Sequence, residues 1–203
     1  MSQIALPLSL SPLHGTRSIV VGEGNRAAVA ALQDTATWPF HTAMLAGPPR
    51  SGKSLLARWF EIEAGGEAID GVQAFDEDAV FHRWNRAQER GTPLLLVVDG
   101  EGWDIALPDL ASRIGAALQL EIGPPDDAMA GELMLAYAAE RGLALGEGAP
   151  AYCIPRMKRS YAAIERLVDA IDRLSLERKQ PATMSIWRDA LEAVQGPEQA
   201  RLL

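Results

Sequence analysis

Hydrophobic positions along this chain follow one pattern up to about residue 125 and another beyond it. In the first stretch, short unbroken apolar runs alternate with amphipathic ones. Thr42 to Ala46 (TAMLA), Pro93 to Asp99 (PLLLVVD) and Leu118 to Ile122 read as buried strands, with Glu67 to Val72 (EAIDGV) a weaker one and Ser18 to Val21 a short apolar run. Between them lie helical patterns. Asn25 is placed as N-cap of Arg26 to Leu32. Leu55, Leu56, Trp59 and Phe60 share one helical face, Asp76 to Arg90 carries Val80, Phe81 and Trp84 on one side, and Pro108 to Ala117 is a shorter helix. Strands alternating with helices predict an α/β fold, a parallel sheet with helices on both faces.

After GPPDD at 123–127 the strand signal stops. Ala128 to Arg141 reads as helix, Ser160 to Lys179 repeats apolar Tyr161, Ile164, Leu167, Val168, Ile171 and Leu174 at helical spacing, and Thr183 caps a last helix through Val194. Residues 1–16, with Pro7, Pro12 and Gly15, read as an extended tail. The expected organisation is a tail at 1–16, an α/β domain at 17–124 and a small all-helical unit at 125–203, within reach of a chain of 203 residues.

Composition narrows the function classes. With 48% hydrophobic and 23% charged residues, the chain can build an ordinary core and is not a disordered segment. Nineteen Lys and Arg against 27 Asp and Glu give a net charge of −8, the opposite of what phosphate neutralisation asks of a free-standing DNA-binding domain. Cys153 is the single cysteine, which excludes an intrachain disulfide. His14, His41 and His82 lack metal-ligand spacing. Trp38, Trp59, Trp84, Trp103 and Trp187 are dispersed, as packing residues are. Asp76-Glu77-Asp78 reads as a solvated, dipole-favoured helix start, and Asp126 and Asp127 as its equivalent for the first helix of the C-terminal unit. The N-terminal segment lacks the basic start of a signal peptide, and no run approaches the ~20 apolar residues of a membrane span, so a cytoplasmic protein is expected.

The candidate chemistry begins at Gly47-Pro48-Pro49-Arg50-Ser51-Gly52-Lys53-Ser54, which matches G-x-x-x-x-G-K-[ST] between a strand and a helix. The backbone of such a loop, from Gly47 and Pro48 through Arg50, Ser51 and Gly52 to Leu55 in the first helical turn, directs N–H groups inward. With the helix amino end, it suits a di- or triphosphate. Lys53 supplies a point charge and Ser54 a hydroxyl for Mg²⁺. Hydrolysis also needs an acid at a neighbouring strand end. Two compete: Asp99 ends the strongest apolar strand, and Asp70 ends a poorer one.

The P-loop, LPDLASR at 107–113 and the helical C-terminal stretch together resemble the AAA+ ATPases of the bacterial DnaA group, and nearly end to end the Hda-type regulators within it. The resemblance implies a P-loop AAA+ parallel sheet with a small C-terminal helical lid. It makes Asp99 the sensor-1 residue and Asp70 the Walker B acid, which joins Ser54 at the metal. Gly71 stands where a second acid often follows, and the segment before Asp70 is short, which implies weak intrinsic hydrolysis.

By the same resemblance Arg113 is an arginine finger acting in trans, with an ion pair to Asp109 as the plainer alternative. Arg159, near Arg156 and Lys158, is the sensor-2 cation. Ile19, Val20 and Asn25, within IVVGEGN, enclose the adenine of ADP or ATP. Gln3-Ile4-Ala5-Leu6-Pro7-Leu8 resembles the peptide by which this family binds the β sliding clamp, with Gln3, Ile4, Leu6, Pro7 and Leu8 as contacts. The implied partners are DnaA and the clamp, with DNA met only through the clamp, no membrane, and a homo-oligomer open. The implied role is negative regulation of replication initiation. A self-sufficient ATPase that remodels or loads a replication protein, and a clamp-binding adaptor with a vestigial nucleotide site, are the alternatives.

Overall fold

The computed structural model describes residues 19–100 and 102–196. Among them, four parallel strands form one sheet: β1 (Thr42–Ala46), β2 (Glu67–Ile69), β3 (Leu94–Val97) and β4 (Leu118–Glu121), in the order β2-β3-β1-β4. Thr42 pairs with Leu94, and Ala43 with Leu118, so β1 is flanked on both sides. The helices of this part of the chain are α1 (Arg26–Gln33), α2 (Lys53–Glu63), α3 (Glu77–Arg90) and α4 (Pro108–Gly115).

The unbroken apolar run of β3 has a direct cause: both faces of the sheet are covered. Leu95 and Val97 join one buried cluster with Ala43, Leu45, Leu56, Phe60 and Ile122, while Leu94, Leu96 and Val98 join a second with Val80, Trp84, Leu110 and Ile114 from α3 and α4. Within the first cluster Trp38 stacks on Phe60, with ring centroids 5.3 Å apart.

Beyond β4 the described chain is helical: α5 (Asp127–Glu140), α6 (Gly148–Cys153), α7 (Tyr161–Arg178) and α8 (Met184–Gln195). Ile164, Leu167, Val168 and Ile171 of α7 are fully buried and belong to the same cluster as Leu45 of the sheet, so one apolar core runs from β1 into these helices. Ser160 caps α7 through the Ala163 N–H, and Asp126 caps α5 through the Met129 N–H.

The structure corrects several local expectations. Asn25 holds the N-cap position of α1 but its side chain caps nothing there. It turns back to accept from the Gly22 N–H at 2.9 Å and to donate to the Val20 carbonyl at 2.9 Å, because the turn before the helix offers both partners. Thr183 likewise precedes α8 without a side-chain cap; its hydroxyl lies 3.2 Å from that of Ser185. Glu77 is not a solvated charge. Its carboxylate accepts from the Ala106 and Leu107 N–H groups at 3.0 and 2.6 Å, fastening the loop before α4 to α3. The short helix α6 escapes the sequence pattern, since Gly148 and Pro150 lie inside it and Pro fits only a first turn.

Candidate functional site

An interior strand of the sheet, β1, runs straight into the glycine-rich turn and then α2. Gly52 is left-handed at φ 87° and precedes α2 with no side-chain cap, so the first N–H groups of that helix face the turn without a capping partner. Lys53 is 6% exposed, and its ammonium bends back over the turn. It donates to the carbonyls of Gly47 and Pro48 at 3.1 and 3.2 Å and lies 3.6 Å from Asp99 Oδ1. Ser51 Oγ, in the same turn, is buried and has no hydrogen-bond partner among the described residues.

A cavity of about 340 Å³ opens over this turn. Pro49 to Leu56 form its floor, Asp99 one side, and Ile19, Val20 and Asn25 another, while Met129, Leu133, Tyr137, Tyr161 and Glu165 of α5 and α7 close it from above. The IVVGEGN segment reaches this place through close backbone approach. A Cβ on Gly22 would stand 2.6 Å from Met129 Cβ, and one on Gly24 would stand 2.7 Å from the Pro124 carbonyl oxygen. The Gly123 N–H donates to the Gly24 carbonyl at 2.8 Å. Tyr161, buried at the start of α7, donates its hydroxyl to the Gly123 carbonyl at 3.0 Å, and burial pushes its phenol up to about 12. The segment before α1 and the amino end of α7 are thus joined at the cavity.

Taken together, the cavity offers an uncapped helix amino end, a buried ammonium held by neutral carbonyls and an orphaned hydroxyl, next to an apolar slot. Such a set of donors fits a phosphoryl anion, and the slot fits a flat ring.

The expected residues fall into three groups. Arg50, Ser51, Gly52, Lys53, Ser54, Leu55, Ile19, Val20, Asn25 and Asp99 come together around the cavity; Gly47 and Pro48 stand behind it as the carbonyls that receive Lys53. Asp70 does not line it. It follows β2, one strand beyond β3, and is exposed, whereas Asp99 follows the strand next to β1. Gln73, just past Asp70, grips the Asp99 backbone: its amide donates to the Asp99 carbonyl at 2.6 Å and accepts from the Asp99 N–H at 3.1 Å.

Two arginines also stand apart from the cavity. Arg159 pairs with Asp127 at 2.9 Å. Arg113 turns to aromatic rings: its guanidinium rests over Trp84 and Phe81 at 4.5 and 5.0 Å, on the α3–α4 side of the sheet. Gln3, Ile4, Leu6, Pro7 and Leu8 lie outside the described residues. Glu165, Tyr161, Met129, Leu133 and Gln73 carry no separate signal as site residues in the sequence. Each reaches its place through contacts distant along the chain.

No protein-family model matches the sequence. Among solved structures, the chain is similar to domain III of the replication initiation protein DnaA from Thermotoga maritima, with a TM-score of 0.70 and 15% identity over 88% of this chain and 95% of that one. It is also similar to AMPPCP-bound DnaA from Aquifex aeolicus, TM-score 0.58 and 20% identity over 79% of this chain and 66% of that one. A third likeness is to the FIGL-1 AAA domain in complex with ADP, TM-score 0.62 and 12% identity over 85% and 82% of the two chains. The fold is an AAA+ fold of the kind seen in DnaA: a parallel sheet flanked by helices, followed by a helical C-terminal region. Among the described residues no helix is long and apolar enough to cross a membrane.

Proposed function

We propose that the chain is a nucleotide-binding AAA+ regulator of the Hda type, which presents Arg113 to ATP held by DnaA and so accelerates its hydrolysis. The observation that carries this reading is the separation of two phosphate-seeking elements. The P-loop cavity holds Lys53, while Arg113 lines no part of that cavity and stacks on aromatic rings on the other side of the sheet. An arginine finger of a neighbouring molecule's site has this arrangement. It would stabilise transition-state charge there, an effect worth about 10³–10⁵ in rate where it has been measured.

In the chain's own cavity, Gly52, Lys53, Ser54 and Leu55 would hold the phosphates of ADP or ATP, and Ile19, Val20 and Asn25 the base. Ser54 would hold Mg²⁺ at the cavity, with Asp99 beside Lys53 as sensor 1; Asp70, one strand further out, would reach the metal only through water. When bound, the metal would neutralise phosphate charge. Arg159 would serve the nucleotide only after leaving Asp127. Weak hydrolysis by the chain itself follows from Gly71 in place of a second acid, and is supported by its left-handed backbone at φ 64°.

The N-terminal hexapeptide docks the regulator on the β clamp, so DNA is met through the clamp in the cytoplasm. The test is hydrolysis of DnaA-bound ATP with DNA-loaded clamp present or omitted, using the whole chain and a chain lacking residues 1–8. Acceleration that needs both clamp and hexapeptide supports the reading. Acceleration indifferent to both removes the clamp from it.

A further inference from the structure

Arg50 occupies its turn in a left-handed backbone conformation, φ 65°, where a glycine would sit without strain. Its guanidinium crosses the mouth of the cavity, and Nε lies 2.7 Å from Glu165 Oε2 on α7. The two halves of the pair differ. The Arg50 side chain is 64% exposed and that of Glu165 only 16%, so the acid is the fixed member. Arg141 steadies it, with Nη2 4.0 Å from Glu165 Oε1 and 2.6 Å from Asp169 Oδ1, and Nη1 donating to the Tyr137 carbonyl at 2.8 Å. A line of charges thus joins the phosphate loop to the packed faces of α5 and α7.

A guanidinium engages carboxylate and phosphate with the same fork of donors, so the two compete for it. We infer that Glu165 is a specificity-determining residue of the cavity: it holds Arg50 across the mouth, and a phosphoryl ligand must take Arg50 from it. Affinity for the ligand is then set partly by the Arg50–Glu165 pair. The position of α7 is coupled to the loop by the same free energy, because a ligand that draws Arg50 away releases α7 from the turn. A nucleoside without phosphate leaves the pair intact. The inference rests on the nucleotide-site reading above and adds to it the carboxylate that opposes binding.

The test is a cycle of four full-length chains: wild type, Glu165→Gln, Arg50→Gly and the double variant, each titrated with ADP by calorimetry. Glycine relieves the left-handed strain at position 50, so the Arg50→Gly chain is expected to fold, and circular dichroism checks each variant. Glu165→Gln is expected to tighten ADP binding about three- to tenfold in the presence of Arg50. In the Arg50→Gly background the same substitution is expected to change affinity less than about twofold.

Equal effects of Glu165→Gln in both backgrounds would reduce Glu165 to a nearby negative charge and overturn the competition, while the wild-type isotherm still supported a nucleotide site. Absence of ADP binding to wild type and to every variant would overturn both readings together.

Discussion

The guanidinium carbon of Arg113 lies 4.5 Å over the ring of Trp84, a residue that is itself buried on α3. The stacking fixes a long side chain at the last turn of α4 without neutralising its charge, as an ion pair with Asp109 would have done. Glu77 holds the preceding loop by its backbone, so α3 sets the position of α4 at both ends. Cation–π contacts contribute about 0.5–1 kcal/mol when exposed and about 2 kcal/mol when desolvated, and Arg113 is half-buried, so Arg113→Ala should lower unfolding free energy by about 1–2 kcal/mol. Trp84→Ala, which empties a core position, should cost about 3 kcal/mol or more. Urea unfolding of the two variants checks both; a loss above about 2 kcal/mol for Arg113→Ala would mark the arginine as structural.

Lys53 makes its contacts with the carbonyl oxygens of Gly47 and Pro48 and, at 3.6 Å, with the exposed carboxylate of Asp99. Lys53→Ala should leave the circular dichroism spectrum unchanged and weaken ADP binding by at least about tenfold, the loss of one charge-assisted contact. Unaltered affinity would remove the P-loop from the binding site.

Asp126 ties the turn at the cavity wall to α5, accepting from the Met129 N–H at 2.8 Å and the Glu23 N–H at 3.1 Å. The bond from Met129 is the main cause that holds its carboxyl below the ordinary value, against the opposing pull of burial. With the folded pKa below the unfolded one, the unfolded chain binds more protons between the two values, and stability rises with pH there. The contribution is complete above the unfolded value and is lost as pH falls through the folded one. Asp126→Ala should therefore cost about 1 kcal/mol at neutral pH and progressively less below about pH 4. A cost that stayed constant with pH, in urea titrations from neutral to acid, would contradict this.

Gly71 is left-handed at φ 64°, and a Cβ there would come 3.5 Å from Asp99 Oδ2. That distance is an ordinary contact, so installing the acid that commonly follows a Walker B aspartate should strain the backbone and bring a second negative charge near Asp99. Gly71→Glu should lower stability by about 1 kcal/mol or more and bring no gain in the chain's own ATP turnover. A gain in steady-state turnover would show that the missing acid alone limits it.

The sheet is legible in the sequence because its strands carry their burial there. LLLV at 94–97 is apolar throughout and is covered on both faces. The glycine-rich turn is legible because Gly52 and Lys53 are neighbours in a short local motif. The acids are not legible from spacing alone: which of Asp70 and Asp99 stands beside β1 depends on strand order, and no local pattern encodes that β3 lies between β2 and β1. Glu165 is invisible for a similar reason. It occupies a half-buried position on α7, and only the approach of that helix to the turn at Arg50 gives it a partner. The role of Glu77 escapes the pattern because three acids at a helix start fit a dipole argument, whereas one of them is used by a distant loop.

The most direct measurement is a single-turnover assay of labelled ATP bound to DnaA, mixed with DNA-loaded clamp and either the wild-type chain, Arg113→Ala or Arg113→Lys. Wild type is expected to speed hydrolysis by about a hundredfold or more, and both variants to fall to the rate of DnaA alone while remaining folded, since lysine has the charge but not the planar fork. Acceleration by Arg113→Ala equal to that of wild type would contradict an arginine presented in trans.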